Sequence, residues 1–324
     1  MTSSAYQLFR ELMQKGRYAE AVSLAQAEQQ AAAPDDAFWL TRQAAALLRL
    51  RDYTGALAAS RQALARQPAN PYASLTTAQA LYGLKHTAEA LLHYEAAATE
   101  KKLAAAACKG ALACLAQGKQ WHRILDRLAL WKLPETQTLY WKAKALQGLG
   151  RTQEAADICR KWLQISPDDP RALWMLTELE IRIEGLEAVR TRMGRLARIS
   201  SRPPIYKEIF ASLSRRSGRI AEALAQYETL ADSTADPRLL RQHAFTLAKS
   251  GRETEALPLL EELLKIDPTD FYLHASYTGA CRRIKQLDRA LKFYEDLLDM
   301  HPAQKGLYTR MRNIRKLLDP DEAL

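Results

Sequence analysis

Apolar and basic positions between residues 186 and 202 separate at helical spacing. Leu186, Val189, Met193, Leu196 and Ile199 form one stripe, and Arg192, Arg195, Arg198 and Arg202 lie opposite it. The end of the chain repeats the arrangement, with Leu307, Met311, Ile314 and Leu318 as the stripe and Lys305, Arg310, Arg312, Arg315 and Lys316 on the other faces. Each pattern predicts an amphipathic helix. Over this local period runs a longer one, carried by small residues. Ala21, Ala56, Ala90, Ala155, Ala188, Ala223, Ala256 and Ala290 form one series, with its rung near Arg123 missing, and Ala44, Ala78, Ala111, Ala143, Ala211 and Ala244 form a second. Pro34, Pro68, Pro134, Pro167, Pro203, Pro268 and Pro302 form a third. All three advance by 32 to 36 residues or about twice that. Antiparallel helices approach closely only where side chains are small, and a proline, lacking its N–H, stops a helix. The chain therefore reads as repeated helix pairs, each closed by a proline.

A six-residue phrase punctuates the repeats: GRYAEA at 16–21, GRTQEA at 150–155, GRIAEA at 218–223 and GRETEA at 251–256. The starts are 134, 68 and 33 residues apart, close to four, two and one units of about 34. The Gly-x-Tyr-x-Glu-Ala of the first phrase, Asp-Tyr-x-x-Ala-Leu at 52–57 and Ile-Asp-Pro at 266–268 resemble the tetratricopeptide repeat family. On that resemblance the chain, 1–324, is one all-α, right-handed solenoid of nine helix-turn-helix units. They run 4–34, 38–68, 71–102, 103–134, 135–167, 170–203, 204–236, 237–268 and 270–302, followed by a capping helix at 303–318. Units four and six fit poorly. Gln120-Trp121-His122-Arg123 stands where Glu-Ala is expected, and unit six turns at Glu184-Gly185 without an aromatic in its second helix. Those two units are where a kink or a partner contact is expected. The acidic tail DPDEAL is expected to fray.

Composition changes this picture in one respect. The 324 residues are 48% hydrophobic and 26% charged, which excludes a disordered chain, and no apolar run approaches a bilayer-spanning length. The N-terminal stretch MTSSAYQLFRELMQKGR lacks the apolar core of a signal peptide, so a cytoplasmic protein is expected, and the Ala-, Leu- and Arg-rich wording suggests a bacterial one. The excess of 47 basic over 37 acidic residues, a net charge of +10, points toward acidic partners or nucleic acid.

Candidate chemistry is sparse. Cys108, Cys114, Cys159 and Cys281 show no CxxC or disulfide spacing, and the last three fall on apolar stripes, as buried reduced thiols would. His86, His93, His122, His243, His274 and His301 make no metal-ligand spacing. QGLGRTQ at 147–153 looks like a phosphate loop but lacks the third glycine, the Lys-Ser/Thr and a preceding strand. Glu261-Glu262 and Asp168-Asp169 sit on a helix surface and in a turn. A non-enzyme with no catalytic residue, metal or cofactor is the reading.

In the tetratricopeptide family the first helices line a concave groove, and the resemblance implies an inward-facing set here. It comprises Tyr6, Arg10, Phe38, Arg42, Arg49, Tyr72, Tyr82, Lys109, Tyr140, Trp141, Lys144 and Trp174. It continues with Glu180, Glu208, Arg215, Arg216, Arg238, Arg241, Phe245, Lys249, Tyr272, Arg282 and Arg283. Twelve of these are basic and two acidic, a stronger bias than the whole chain shows. Basic groups interleaved with aromatics suit an acidic peptide or helix, or single-stranded nucleic acid. The stripe Arg192, Arg195, Arg198 and Arg202, on a second helix, should face outward and serve solubility. Chaperone-clamping relatives use paired asparagines on consecutive first helices, whereas this chain has only Asn70 and Asn313. The leading expectation is thus an adaptor or assembly factor holding an acidic protein segment, as similar bacterial proteins do in secretion, motility and envelope systems. The alternative is RNA or single-stranded DNA binding through the same groove, although no polar pair recurs that would read single bases. A peptide sensor or a permanent non-catalytic enzyme subunit is a third possibility.

Overall fold

A computed structural model describes residues 3–33, 36–231, 236–302 and 304–318, and every regular element among them is an α-helix. The helices come in pairs: α1 (Ser3–Gln14) with α2 (Tyr18–Ala31), α3 (Phe38–Arg49) with α4 (Tyr53–Arg66), and α5 (Pro71–Gly83) with α6 (Thr87–Ala97). They continue as α7 (Ala104–Gln117) with α8 (Trp121–Leu130), α9 (Glu135–Gly148) with α10 (Thr152–Ile165), and α11 (Pro170–Glu184) with α12 (Leu186–Ala197). The last pairs are α13 (Ile205–Arg216) with α14 (Ile220–Ala231), α15 (Pro237–Lys249) with α16 (Glu253–Ile266), and α17 (Phe271–Arg283) with α18 (Leu287–Met300). The unpaired α19 (Lys305–Leu318) follows. The all-α repeat fold expected from the sequence is the one observed. Contacts divide the chain into two compact units, Met1–Leu179 and Glu180–Leu324, with the boundary inside α11.

Eight of the nine intra-pair turns share one device. The central residue of a three-residue turn adopts positive φ: Gly16, Arg51, Lys85, Lys119, Gly150, Gly218, Gly251 and Lys285. The next residue donates its N–H back to the carbonyl five positions earlier, as in Arg17 to Leu12, Gln120 to Leu115 and Gln286 to Cys281, at 2.8–2.9 Å. This is a Schellman closure, which satisfies carbonyls left open at a helix end. That donor residue is also the N-cap of the second helix, and the residue four further on lands at the helix crossing. There sit Ala21, Ala56, Ala90, Ala155, Ala223, Ala256 and Ala290, all with no exposed surface. The recurring phrase follows from this geometry. Gly takes the positive φ, and Arg at the N-cap reaches forward to the Glu three residues on, as in Arg17–Glu20 and Arg151–Glu154 at 2.6 Å and Arg252–Glu255 at 2.7 Å. Arg219 departs because Glu222 is engaged by Arg190 (2.8 Å) and Ser214 (2.7 Å), so Arg219 turns to Glu187 of α12.

The two poor units differ from expectation in defined ways. In unit four the positive φ falls on Lys119 rather than Gly118, so Ile124 occupies the missing alanine's place and is fully buried. In unit six the turn is two residues shorter, with one residue between α11 and α12. Gly185, at φ 88° and ψ 158°, is itself the N-cap of α12. The crossing residue is therefore Val189, which is fully buried, while Ala188 is exposed and does not belong to the series. The second series holds throughout: Ala44, Ala78, Ala111, Ala143, Ala211 and Ala244 have no exposed surface. The prolines are less uniform. Pro68, Pro167, Pro268 and Pro302 directly follow a second helix, whereas Pro134 is the N-cap of α9 and Pro203 lies just ahead of α13. Pro34 and the DPDEAL tail lie outside the described residues. In α19, Leu307, Met311 and Ile314 are buried, but Leu318 is exposed.

Between neighbouring pairs, aromatic rings fill the space that glycine leaves. A Cβ on Gly110 of α7 would lie 2.2 Å from the ring of Tyr94 of α6, itself buried. Gly110→Ala should therefore cost about 1–3 kcal/mol through overpacking, read as a fall in the urea midpoint. An unchanged midpoint would show that the Tyr94 ring moves aside freely.

Two buried histidines couple the fold to pH. His274 donates from Nε2 to the Pro268 carbonyl (3.0 Å) and shares a hydrogen bond between Nδ1 and the Tyr294 hydroxyl (3.1 Å). His243 stacks on Tyr227, and neither of its ring nitrogens has a partner. Burial lowers both pKa values below the ordinary imidazole value. The unfolded chain therefore takes up protons below about pH 6.5 that the folded chain refuses, and stability falls as pH drops through that value. His243→Phe, which keeps the ring stack, should flatten this slope in urea titrations between pH 7 and 5. A slope equal to that of the unmodified chain would remove His243 from the account.

Candidate interaction surface

Within the first unit, α3 touches α5 and α5 touches α7; within the second, α15 touches α17. These are all first helices of successive pairs, so each unit bends with its first helices toward the inside. Side chains on that side would meet a ligand lying along the pairs.

In the first unit the aromatic and basic residues associate. Tyr6 of α1 and Phe38 of α3 pack edge to face at 5.4 Å, and the Arg42 guanidinium covers both rings, 5.4 Å from Tyr6 and 4.3 Å from Phe38. Arg49, at the last turn of α3, lies 5.7 Å from the Tyr18 ring. On α9 the Lys144 ammonium sits 5.5 Å from the Tyr140 ring and 5.2 Å from that of Trp141, and donates to the Tyr140 hydroxyl at 3.3 Å. Cations held over ring faces keep their charge while losing conformational freedom. Arg10, Lys109 and Tyr72 are exposed, and Tyr82 is half-buried. Trp141 is 7% exposed and packs in the core, so it backs Lys144 and offers a ligand little surface of its own. Trp174 is half-buried.

The second unit holds a cavity of about 410 Å³ on its first helices, lined by Phe245, Ala248 and Lys249 of α15 and Tyr272, Ser276 and Arg283 of α17. Four residues expected in the groove, Phe245, Lys249, Tyr272 and Arg283, are thus brought together. Arg241 covers the Phe245 ring at 5.2 Å and pairs with Asp270 at 2.5 Å. Arg283 pairs with Glu253 at 2.6 Å and donates to the Ala248 carbonyl at 3.0 Å, and its hydrogen bond holds the Glu253 carboxyl below the usual range. Arg238 is held by Asp236 at 2.8 Å. Arg216 and Arg282 are exposed, and Arg215 lies against Tyr227, whose pKa burial nevertheless raises.

The two acidic residues of the expected set are accounted for differently. Glu180 does not face a groove: it is 8% exposed and bound by Arg192, which also holds Glu184 at 2.5 Å. Arg192 therefore leaves the outward basic stripe in which its spacing placed it. Glu208 is half-buried, and desolvation raises its pKa against the lowering effect of Arg238. Sequence spacing could not reveal these internal pairings, because partners such as Arg241 and Asp270 are 29 positions apart.

Other chemistry is limited. All four cysteines are buried and none forms a disulfide, and burial raises Cys114 and Cys281 to about 11, so both stay protonated at neutral pH. Among the described residues no group of three His, Cys, Asp or Glu could hold a metal ion, and no helix is long and apolar enough to cross a membrane.

Comparison with known proteins bears on the family. A search of curated sequences found no significant match. Among solved structures the chain is similar to the TPR domain of P58(IPK), at 15% identity over 99% of both chains with a TM-score of 0.32. It is also similar to a tetratricopeptide repeat protein from Parabacteroides merdae ATCC 43184, at 14% identity over 86% of this chain and 98% of that one, TM-score 0.41. A third likeness is to Naa15/Naa10 bound to HypK-THB, at 12% identity over 99% of this chain and 66% of that one, TM-score 0.42. These scores are too low to carry the assignment, which rests on sequence: tetratricopeptide repeat models match residues 41–107 and 136–169. Those segments cover parts of four of the helix pairs whose turns, crossing alanines and spacing recur along the chain, and over them the chain carries tetratricopeptide repeats.

Proposed function

We propose that the chain is a non-catalytic cytoplasmic scaffold or assembly factor whose first-helix faces hold an acidic segment of a protein partner. A set of unpaired first-helix cations supports this reading. Four second-helix arginines are engaged with carboxylates of a neighbouring pair: Arg61–Glu89, Arg127–Glu95, Arg190–Glu222 and Arg289–Glu261, at 2.6–2.9 Å. Among the described residues, no carboxylate pairs with Arg10, Arg42, Arg49, Lys109, Lys144, Lys249 or Arg282, all on first helices. These charges are left for something outside the chain. Extended acidic peptide suits them, because aromatic faces beside the cations offer apolar contact between carboxylates. Arg238, Arg241 and Arg283 are secondary, since a ligand must compete with Asp236, Asp270 and Glu253 for them.

The test is affinity purification of the tagged chain from its native lysate, with and without nuclease, beside the variants Arg10→Glu/Lys109→Glu and Lys249→Glu/Arg282→Glu. A stoichiometric protein that survives nuclease is expected, and each double reversal should weaken its binding at least about tenfold, or about 1.4 kcal/mol, at unchanged helical circular dichroism. Unaltered binding to both variants would sink the first-helix assignment. Recovery that collapses on nuclease treatment and falls steeply with salt would transfer the same residues to RNA or single-stranded DNA.

A further inference from the structure

Unit four, the least regular in sequence, opens a second recess on the opposite side of the first unit. It holds about 580 Å³ between the second helices α8 and α10, with α9 as its floor. Leu125, Leu128 and Ala129 line one wall, Ile158 the other, and Leu146 the base. The recess exists because α8 is only ten residues long, the shortest helix described, and leaves the outer face of α9 uncovered, including Thr138 and Lys142. Leu130, the last residue of α8, is 70% exposed.

The charges around this apolar floor are unbalanced. Of the four acidic and basic groups at the α10 end, Glu154 is held by Arg151 at 2.6 Å and Asp157 by Arg160 at 2.8 Å. Lys142 and Lys161 line the same recess. Lys142 lies near enough to Glu154 to help lower its pKa, yet neither lysine makes an ion pair among the described residues. The rim anions are occupied and two rim cations are not. The cleft between α16 and α18 differs, being rimmed by Glu261, Asp296 and Asp299 against Lys265, Arg289 and Lys292.

We infer that the α8–α10 recess is a second docking site, and that its occupant is an amphipathic helix of a partner protein with apolar anchors on one stripe and Asp or Glu beside them. Both walls are helices whose backbone groups are already bonded, so no strand edge is available to an extended segment. A helix brings its own backbone bonds and needs only side-chain contacts, with anchors a turn apart entering between α8 and α10. Its carboxylates would meet Lys142 and Lys161. This site shares no residue with the first-helix surface and does not depend on that reading.

The test uses the full chain and a displayed library of short random peptides, selected on the unmodified protein, labelled with a fluorophore and titrated. Winning peptides should carry apolar residues at helical spacing together with Asp or Glu. They should lose at least about tenfold in affinity for Ala129→Arg, which fills the exposed wall, and for Lys142→Glu/Lys161→Glu. Both variants alter exposed positions, and circular dichroism verifies that they fold. Lys249→Glu/Arg282→Glu should bind the peptides as the unmodified chain does, which separates this site from the first-helix surface. The inference is overturned if no peptides of this kind are enriched, if they bind either recess variant undiminished, or if the chain self-associates in sedimentation and Ala129→Arg makes it monomeric. In that last case the recess belongs to a second copy.

Discussion

The close crossing of the two helices in each pair is the contact on which everything else depends. A buried alanine, or Ile124 or Val189 in the irregular units, must sit four residues after the N-cap of the second helix. The turn delivers it there, because the Schellman closure fixes how many residues separate the end of one helix from the start of the next. Once that distance is fixed, the aromatic rings, the glycines they cover and the first-helix faces all fall into phase. Stability is then largely a matter of neighbours, since each pair buries its apolar surface against the next, as in repeat arrays generally.

Much of this was legible in the chain itself. The alanine series gave the pairs and their order, and seven of its eight members occupy the crossing. Ala188 misled because it is an alanine one position short of the crossing: Gly185 is the N-cap, and the residue four further on is Val189, 34 positions after Ala155 and 34 before Ala223. Pro134 was read as a helix stop but caps the following helix, a distinction that needs the backbone to be seen. The candidate surface was legible as composition and less so as geometry. Spacing could place Arg241, Arg283 and Glu180 on first helices, but only coordinates bring Asp270, Glu253 and Arg192 against them. The recess on unit four had a faint signal in its missing alanine, while its depth depends on where α8 ends.

The net charge of +10 takes on structure once the arginines are sorted by helix. Four of those on second helices, Arg61, Arg127, Arg190 and Arg289, tie one pair to the next, and exposed pairs of that kind are individually weak. Those on first helices mostly lean on aromatic rings or stand alone. The excess that composition reveals as a single number is therefore divided between cations paired within the chain and cations that have no carboxylate among the described residues.

The turn at Gly185 differs in what it tolerates. At four of the eight regular turns the central residue is not glycine: Arg51, Lys85, Lys119 and Lys285 occupy a left-handed conformation that a side chain tolerates at modest cost. Gly185, at φ 88° and ψ 158°, lies in a region open essentially to glycine alone. The regular turns accept glycine, lysine or arginine at their centre while keeping their shape, whereas any side chain at Gly185 would be strained. The phase of α12, and with it the place of Val189 at the crossing, is thus held by the backbone freedom of one glycine.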